Sequence, residues 1–322
     1  MKQMSTMRYT VTIMPIAGFL HRMWRYQSAM YPAGQRILSA LLLYVSLAAM
    51  FLITQGMSPS LTVFQIGAGT SIVFLLLLLL RLMDEIKDKD IDARLFPQRP
   101  LPSGLVTELD IRIAIATSIG SIIAVLATAG WVLWVGIIVL VYAGLMYRFF
   151  FVPGLLKRSL LLTLATHNPI VPLMLILLLC IAVEDAGIAL ADLQFHPIVL
   201  LLIQYWGMSF SWEVARKIRA PWQETAYVTY SSIFGTRGAI AVAATGQILA
   251  IGAGAWMLLR YQLGPGYVVM LGVGSICLAG SYLRALQTSS PATISLRASA
   301  EYFMISIMLA GILEFALRGI QG

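Results

Sequence analysis

Long apolar runs alternate with short polar stretches along the whole chain. A helix that crosses the hydrocarbon core of a bilayer takes about 20 predominantly apolar residues. Nine runs reach or approach that length: 37–55, 63–83, 110–129, 131–147, 159–183, 196–212, 236–259, 266–286 and 301–318. Only Gly130 separates the third run from the fourth, and Trp131 beside it suits an interface anchor. Residues 1–35 hold no such run. Their stretch Phe19–Tyr26 mixes bulky apolar residues with His21, Arg22 and Arg25, the pattern of a helix lying in the membrane interface. The first ten or so residues of the chain read as a disordered tail.

Composition narrows the class. Of 322 residues, 59% are hydrophobic and 11% charged, with a mean hydropathy of +0.86. A soluble domain is about a quarter charged, and a disordered chain lacks the apolar surface found here. The reading is one all-α domain over 1–322, a polytopic membrane protein with 1–35 as a cytosolic and interfacial segment. Cys180 and Cys277 both lie in apolar runs, so neither a disulfide nor a zinc site is expected. The N-terminus lacks a signal-peptide pattern, and insertion is expected to rely on the first span.

The net charge is +8. In a soluble domain this would suggest nucleic acid. Here no long basic run occurs, and positive-inside topology with contact to anionic lipid explains the charge, so no nucleic-acid partner is expected. With the N-terminus cytosolic, 20 of the 22 basic residues fall on the inner side, and only Arg260 and Arg318 do not. The loop after the fifth span is acidic instead, with Glu184, Asp185 and Asp192. This bias predicts an integral protein of a bacterial plasma membrane, with its N-terminus and the mouth of its site in the cytosol.

The end of the second span carries five carboxylates in nine residues: Asp84, Glu85, Asp88, Asp90 and Asp92. On a continuing helix Arg81, Glu85, Asp88 and Asp92 would share one face, with Asp84 flanking it. Carboxylates at this spacing repel one another unless a cation sits between them. Magnesium takes carboxylate oxygens together with substrate phosphates, so the cluster suits a metal–diphosphate. The plainer alternative is a solvated helix end laced by Lys87 and Lys89. Phe96-Pro-Gln-Arg99-Pro-Leu-Pro-Ser-Gly104 then forms a Pro/Gly-punctuated turn with a basic residue inside it.

The acidic run followed by Arg-Pro-Leu-Pro-Ser-Gly resembles the UbiA superfamily of intramembrane prenyltransferases. Asp84, Glu85, Asp88 and Asp92 fall on its first aspartate-rich motif, whose usual opening pair is Asn-Asp, so Asp84-Glu85 is a mild departure. Lys157-Arg158 before the fifth span resembles a basic pair of the family, and the nine-span pattern matches as well. The resemblance implies nine transmembrane helices around a central cavity that opens to a cytosolic-side cap.

The family's second motif, D-x-x-x-D after the sixth span, is altered. Glu213 occupies the first acidic position and Lys217 the second. Tyr205, Ser209, Glu213 and Lys217 recur four residues apart on one helix face. A lysine cannot hold magnesium but binds phosphate as a point charge, and Arg216 can bind it bidentately. An ordinary i,i+4 pair of Glu213 with Lys217 is the plainer alternative. Arg219, Tyr227, Tyr230, Ser231, Ser232 and Arg237 decorate the same loop.

Within the fifth span, Thr163, Thr166, His167 and Asn168 precede Pro169. A proline frees a backbone carbonyl that polar neighbours can satisfy, and polar residues inside a span often face a cavity. His167 and Asn168 are therefore candidates to orient an acceptor, or members of a kink network. Glu314 and Arg318 read as a snorkelling ion pair. Gly67/Gly69, Gly246/Gly252/Gly254 and Gly272/Gly274 read as helix-packing positions.

The resemblance and the residues together imply a magnesium-dependent prenyltransferase acting on a prenyl diphosphate and a membrane-accessible, aromatic or lipid-like acceptor. Asp84, Glu85, Asp88, Asp92 and Glu213 would hold metal. Arg81, Arg99, Lys157, Arg158, Arg216 and Lys217 would bind diphosphate. Asp88, Asp92, Glu213 and Lys217 are the catalytic candidates, and His167, Asn168, Tyr205 and Ser209 line the expected acceptor pocket. The rival readings are a UbiA-type terpene cyclase, a phosphoribosyl-type transferase, and a non-catalytic transporter or scaffold.

Overall fold

The computed structural model describes residues 16–58, 60–156, 158–224, 228–287 and 295–321. Among them there is no strand; the chain is a bundle of helices. In order these are α1 (Ile16–Met30), α2 (Ala33–Thr54), α3 (Val63–Lys87), α4 (Lys89–Leu95), α5 (Glu108–Leu126), α6 (Val132–Tyr147), α7 (Pro153–Leu156), α8 (Leu160–His167), α9 (Ile170–Ala186), α10 (Phe195–Ala215), α11 (Tyr230–Tyr261), α12 (Pro265–Gln287) and α13 (Arg297–Gln321). Eight stretches among the described residues are long and apolar enough to cross a membrane, with α8 and α9 counted as one. Large side chains such as Leu259, Ile276 and Trp134 stand exposed on the outer surface. That exposure is costly in water and favourable against lipid tails.

The nine expected spans differ from these helices in four places. The fourth, α6, has only 16 residues, about 24 Å at the α-helical rise. It runs from Gly130, next to Glu184, to the Phe149 turn beside Lys87. The fifth is broken at Asn168-Pro169 into α8 and α9, because a proline has no N–H to continue the ladder. The seventh begins earlier than expected, at Tyr230, but Gly235 interrupts α11 with φ +68°. The second does not continue through the acidic run: α3 ends at Lys87, and Asp88 (φ −101°, ψ 7°) separates it from α4.

Packing depends on a few close approaches. A side chain at Gly207 would meet the Gly246 carbonyl at 2.6 Å, and one at Gly246 would meet the Gly207 carbonyl at the same distance. These two glycines set the α10–α11 crossing. Gly69, Gly254 and Gly274 likewise accept Tyr44, Gln204 and Ser306, whereas Gly67, Gly252 and Gly272 have open space and are not packing positions. Glu314 and Arg318 do pair, at 2.7 Å. The pair is a clamp as well: Glu314 accepts the Gly264 N–H at 2.7 Å, and Arg318 donates to the Tyr261 and Gln262 carbonyls.

Helix α1 folds back onto the acidic end of α3. Tyr26 joins Leu82, Ile86, Val106 and Ile111 in a small core of its own. Arg22 donates to both oxygens of the buried Asp110, at 2.8 and 2.7 Å. Asp110 also caps α5, in a reciprocal box with Thr107.

Candidate active site

The break at Asp88 divides the acidic run between two surroundings. On one side, Glu85 is 2% exposed and pairs with Arg81 one turn earlier. Tyr26 lies against this pair from α1. Tyr26 Oη and Glu85 Oε2 are both buried without a hydrogen-bond partner of ordinary geometry. Asp92 pairs with Arg99 at 2.6 Å, and the Arg99 guanidinium stacks on Phe96 at 4.1 Å. Arg99 is thus held over the acidic run by the turn that the sequence placed there.

On the other side, Asp84 pairs with Lys87 at 3.0 Å. The Lys87 ammonium sits over the Phe149 ring at 5.1 Å, and the Phe149 and Phe150 rings stand 6.2 and 6.0 Å from the His167 imidazole. Charges from Lys87, Asp84 and Lys217 all act on His167. The helix break at Asn168-Pro169 therefore presents His167 between the first acidic motif and the end of α10. Asp88 stands at the junction and makes no salt bridge among the described residues. Burial, and next the neighbouring Asp84, hold its carboxyl above the usual aspartate range.

The second motif is self-paired. Glu213 gives one oxygen to Arg216 at 2.6 Å and the other to Lys217 at 2.9 Å. Arg216 also stacks on Trp212 and Lys217 on Tyr230. Arg219 donates its backbone N–H to Ser231, tying the loop to α11. Arg158 is exposed before α8, and Arg237 on α11. Lys157 and Tyr227 lie outside the described residues.

The expected acceptor pocket divides as well. Tyr205 is fully buried and shares a hydrogen bond with Ser46 of α2, while Ser209 bonds back to the Tyr205 carbonyl. Both belong to helix packing. Asn168 accepts from Trp206 Nε1 at 2.6 Å, and Tyr142 donates to the Thr166 carbonyl at 2.9 Å, so the kink is supported from α10 and α6. Asn168, Pro169 and Trp206 line an apolar groove of about 320 Å³ with Leu161, Leu164 and Phe210.

The donor chemistry suits magnesium, a hard cation, since Asp84, Asp88 and Asp92 offer carboxylate oxygens. Among the described residues no three acidic, imidazole or thiol groups converge as a ready metal cage. This is compatible with an ion held by one or two carboxylates plus substrate phosphates. Glu213 is the poorer candidate, because both its oxygens are committed to Arg216 and Lys217, and Glu85 is buried with one oxygen held by Arg81.

No protein-family profile matches the chain, and no curated protein does. Solved structures do. A UbiA homolog from Aeropyrum pernix K1 matches with TM-score 0.63 over 86% of this chain and 98% of its own, at 15% identity. A digeranylgeranylglyceryl phosphate synthase matches with TM-score 0.54 over 94% of this chain and 100% of its own, also at 15% identity. The chain has the UbiA fold. At this identity the likeness extends to the fold, and the roles of side chains rest on the geometry above. In this UbiA-fold chain the sequence named Lys87 only as part of a laced helix end, and it assigned no role to Phe149, Phe150, Trp206, Tyr26 or the Arg22–Asp110 pair. The available signals were Lys87 three residues after Asp84 and the Arg-Phe-Phe-Phe run closing a span.

Proposed function

We propose that this protein is a magnesium-dependent intramembrane prenyltransferase, moving an isoprenoid group from a prenyl diphosphate to an aromatic or lipid-like acceptor. The observation that carries the reading is the pairing of a UbiA fold with an acidic helix end whose Asp84–Lys87 pair reaches the His167 break through Phe149. The positive-inside bias supports a cytosolic mouth in a bacterial plasma membrane.

In this reading Asp88, with Asp84 or Asp92 beside it, would hold the ion together with substrate phosphate, and the ion would supply Lewis-acid stabilisation at the phosphate oxygens. Arg99, Arg216 and Lys217 take the remaining charge as the C1–O bond breaks and the bonding pair leaves with the diphosphate. Each is already attached to a carboxylate, so diphosphate exchanges one anionic partner for another. The apolar groove beside Asn168 gives the reacting end of the isoprenoid a dry approach, which protects an electron-poor carbon from water.

The test uses purified protein in nanodiscs, a series of prenyl diphosphates, and a membrane lipid extract as the source of acceptor. Magnesium-dependent diphosphate release with a prenylated lipid product is the expected result. A cyclic hydrocarbon or alcohol formed without acceptor overturns transfer in favour of cyclisation. Absence of turnover with every diphosphate overturns both enzymatic readings.

A further inference from the structure

His167 holds one nitrogen that no hydrogen-bond partner among the described residues uses. Thr166 Oγ1 lies 2.8 Å from the Leu162 carbonyl and 3.3 Å from the Thr163 carbonyl. Its single hydrogen is therefore spent on the helix backbone. The same oxygen lies 3.1 Å from His167 Nδ1. Since the hydroxyl has no second hydrogen to give, Nδ1 must be the donor. A neutral imidazole then carries its lone pair on Nε2. That atom is buried and has no hydrogen-bond partner. An unsatisfied buried acceptor costs roughly 1–3 kcal/mol, so the site is built for a donor that the fold does not itself supply.

The surroundings say which kind of donor. Phe149 and Phe150 flank the imidazole and offer it no polar hydrogen. Phe149, Phe150 and Phe151 all hold left-handed backbone, with φ of +50°, +49° and +61°. Bulky residues adopt this region only where surrounding contacts enforce it, and such outliers gather at functional sites. Lys87 and Asp84 act on the ring from α3 and Lys217 from α10. The unspent nitrogen thus stands beside the first motif, to which Phe149 and Lys87 connect it.

We propose that His167 Nε2 is the proton acceptor of the transfer reaction and that the acceptor substrate presents an O–H group to it. The inference rests on the prenyl-transfer reading. In the step, the C1–O bond to diphosphate breaks first, and the acceptor oxygen then bonds to C1 of the electron-poor prenyl group; without the base, water takes the carbon and diphosphate is released without prenylated product. The bonding electron pair leaves with the diphosphate, and the acceptor proton moves to Nε2. The imidazolium keeps its Nδ1–H on Thr166. The Phe149–Phe150 wall excludes water that would compete for both the proton and the carbon.

Two measurements on the full-length protein test this. The first reads the ratio of prenylated product to released diphosphate in His167→Gln, with the acceptor present. General-base catalysis contributes typically 10²–10⁴-fold, so the ratio should fall about 100-fold. A folding defect lowers both products together and leaves the ratio alone, as does a purely structural histidine. An unchanged ratio overturns the proposal. The second is the ¹⁵N spectrum of labelled histidine without any substrate, with His167 assigned by its loss in His167→Gln. A protonated Nδ1 and an unprotonated Nε2 support the proposal, and the reverse tautomer overturns it. If the parent protein turns over no prenyl diphosphate, the prenyl-transfer reading fails instead, whatever the tautomer.

Discussion

Glu85 and Asp88 stand three residues apart in one acidic run, yet their side chains meet opposite demands. Glu85 is buried against Tyr26 with Arg81 as its counter-charge, so Glu85→Ala should destabilise the protein by about 1–3 kcal/mol by leaving Arg81 unpaired. Asp88 has no such partner among the described residues, so Asp88→Asn should abolish magnesium-dependent turnover while the melting temperature stays within a degree or two of the parent. Thermal unfolding and turnover of both variants separate the two roles. Asp88 also predicts a pH dependence. Burial and Asp84 raise its pKa, so it takes up a proton at a higher pH than an ordinary aspartate. The metal-binding form is the ionised one, and activity should fall on acidification earlier than usual. The carboxylates and cations themselves were legible in the sequence, but their partners were not. Tyr205, Ser209, Glu213 and Lys217 form one stripe by spacing. Yet twelve residues of helix cover about 18 Å of bundle depth, so the two ends of the stripe meet different neighbours: Ser46 at one, the acidic end at the other.

Between helices, the controlling features are close approaches and clamps. Gly207→Ala would place a methyl group 2.6 Å from the Gly246 carbonyl and 3.0 Å from the Ala250 nitrogen. Both obstacles are backbone, so α10 and α11 must separate, at a cost of about 1–3 kcal/mol. Gly252→Ala on α11 meets nothing within 4 Å and should be neutral or stabilising by up to about 1 kcal/mol from helix propensity. Detergent melting curves of the two variants check the contrast. Periodicity and hydropathy located the helices, because burial in lipid depends on the mean character of a long segment. The local breaks at Asp88, Asn168-Pro169 and Gly235 were harder to place. A proline marks only one of them in the sequence, and the turn at Asp88 has no composition signal at all. Those breaks matter most for the candidate site, since two of them expose Asp88 and His167.

For the molecule as a whole, the question is whether α6 completes a ninth crossing. Its 16 residues fall short of the usual span, yet its two ends lie at opposite levels of the bundle. Gly130 precedes it beside Glu184, at the C-terminal end of α9, and the Phe149 turn follows it beside Lys87, at the C-terminal end of α3. Glu184 belongs to the acidic loop that the charge bias assigns to the outer face, and Lys87 to the basic inner set. A helix that joins these two levels changes sides even where the bilayer must thin, or the flanking turns must fill the depth, to accommodate it. The charge pattern requires the same parity: without a crossing at α6, the acidic end of α3 and the Glu213–Lys217 end of α10 would face opposite sides of the membrane. The electrostatic reach of both Lys87 and Lys217 to His167 argues against that. Single cysteines at Thr128 and Val152, introduced into a chain with Cys180 and Cys277 replaced by serine, test the point in intact cells. An impermeant maleimide should label Thr128→Cys from outside and leave Val152→Cys unlabelled until the membrane is opened. Labelling of both positions from one side would remove α6 from the set of crossings, and the two polar motifs could then no longer share one site.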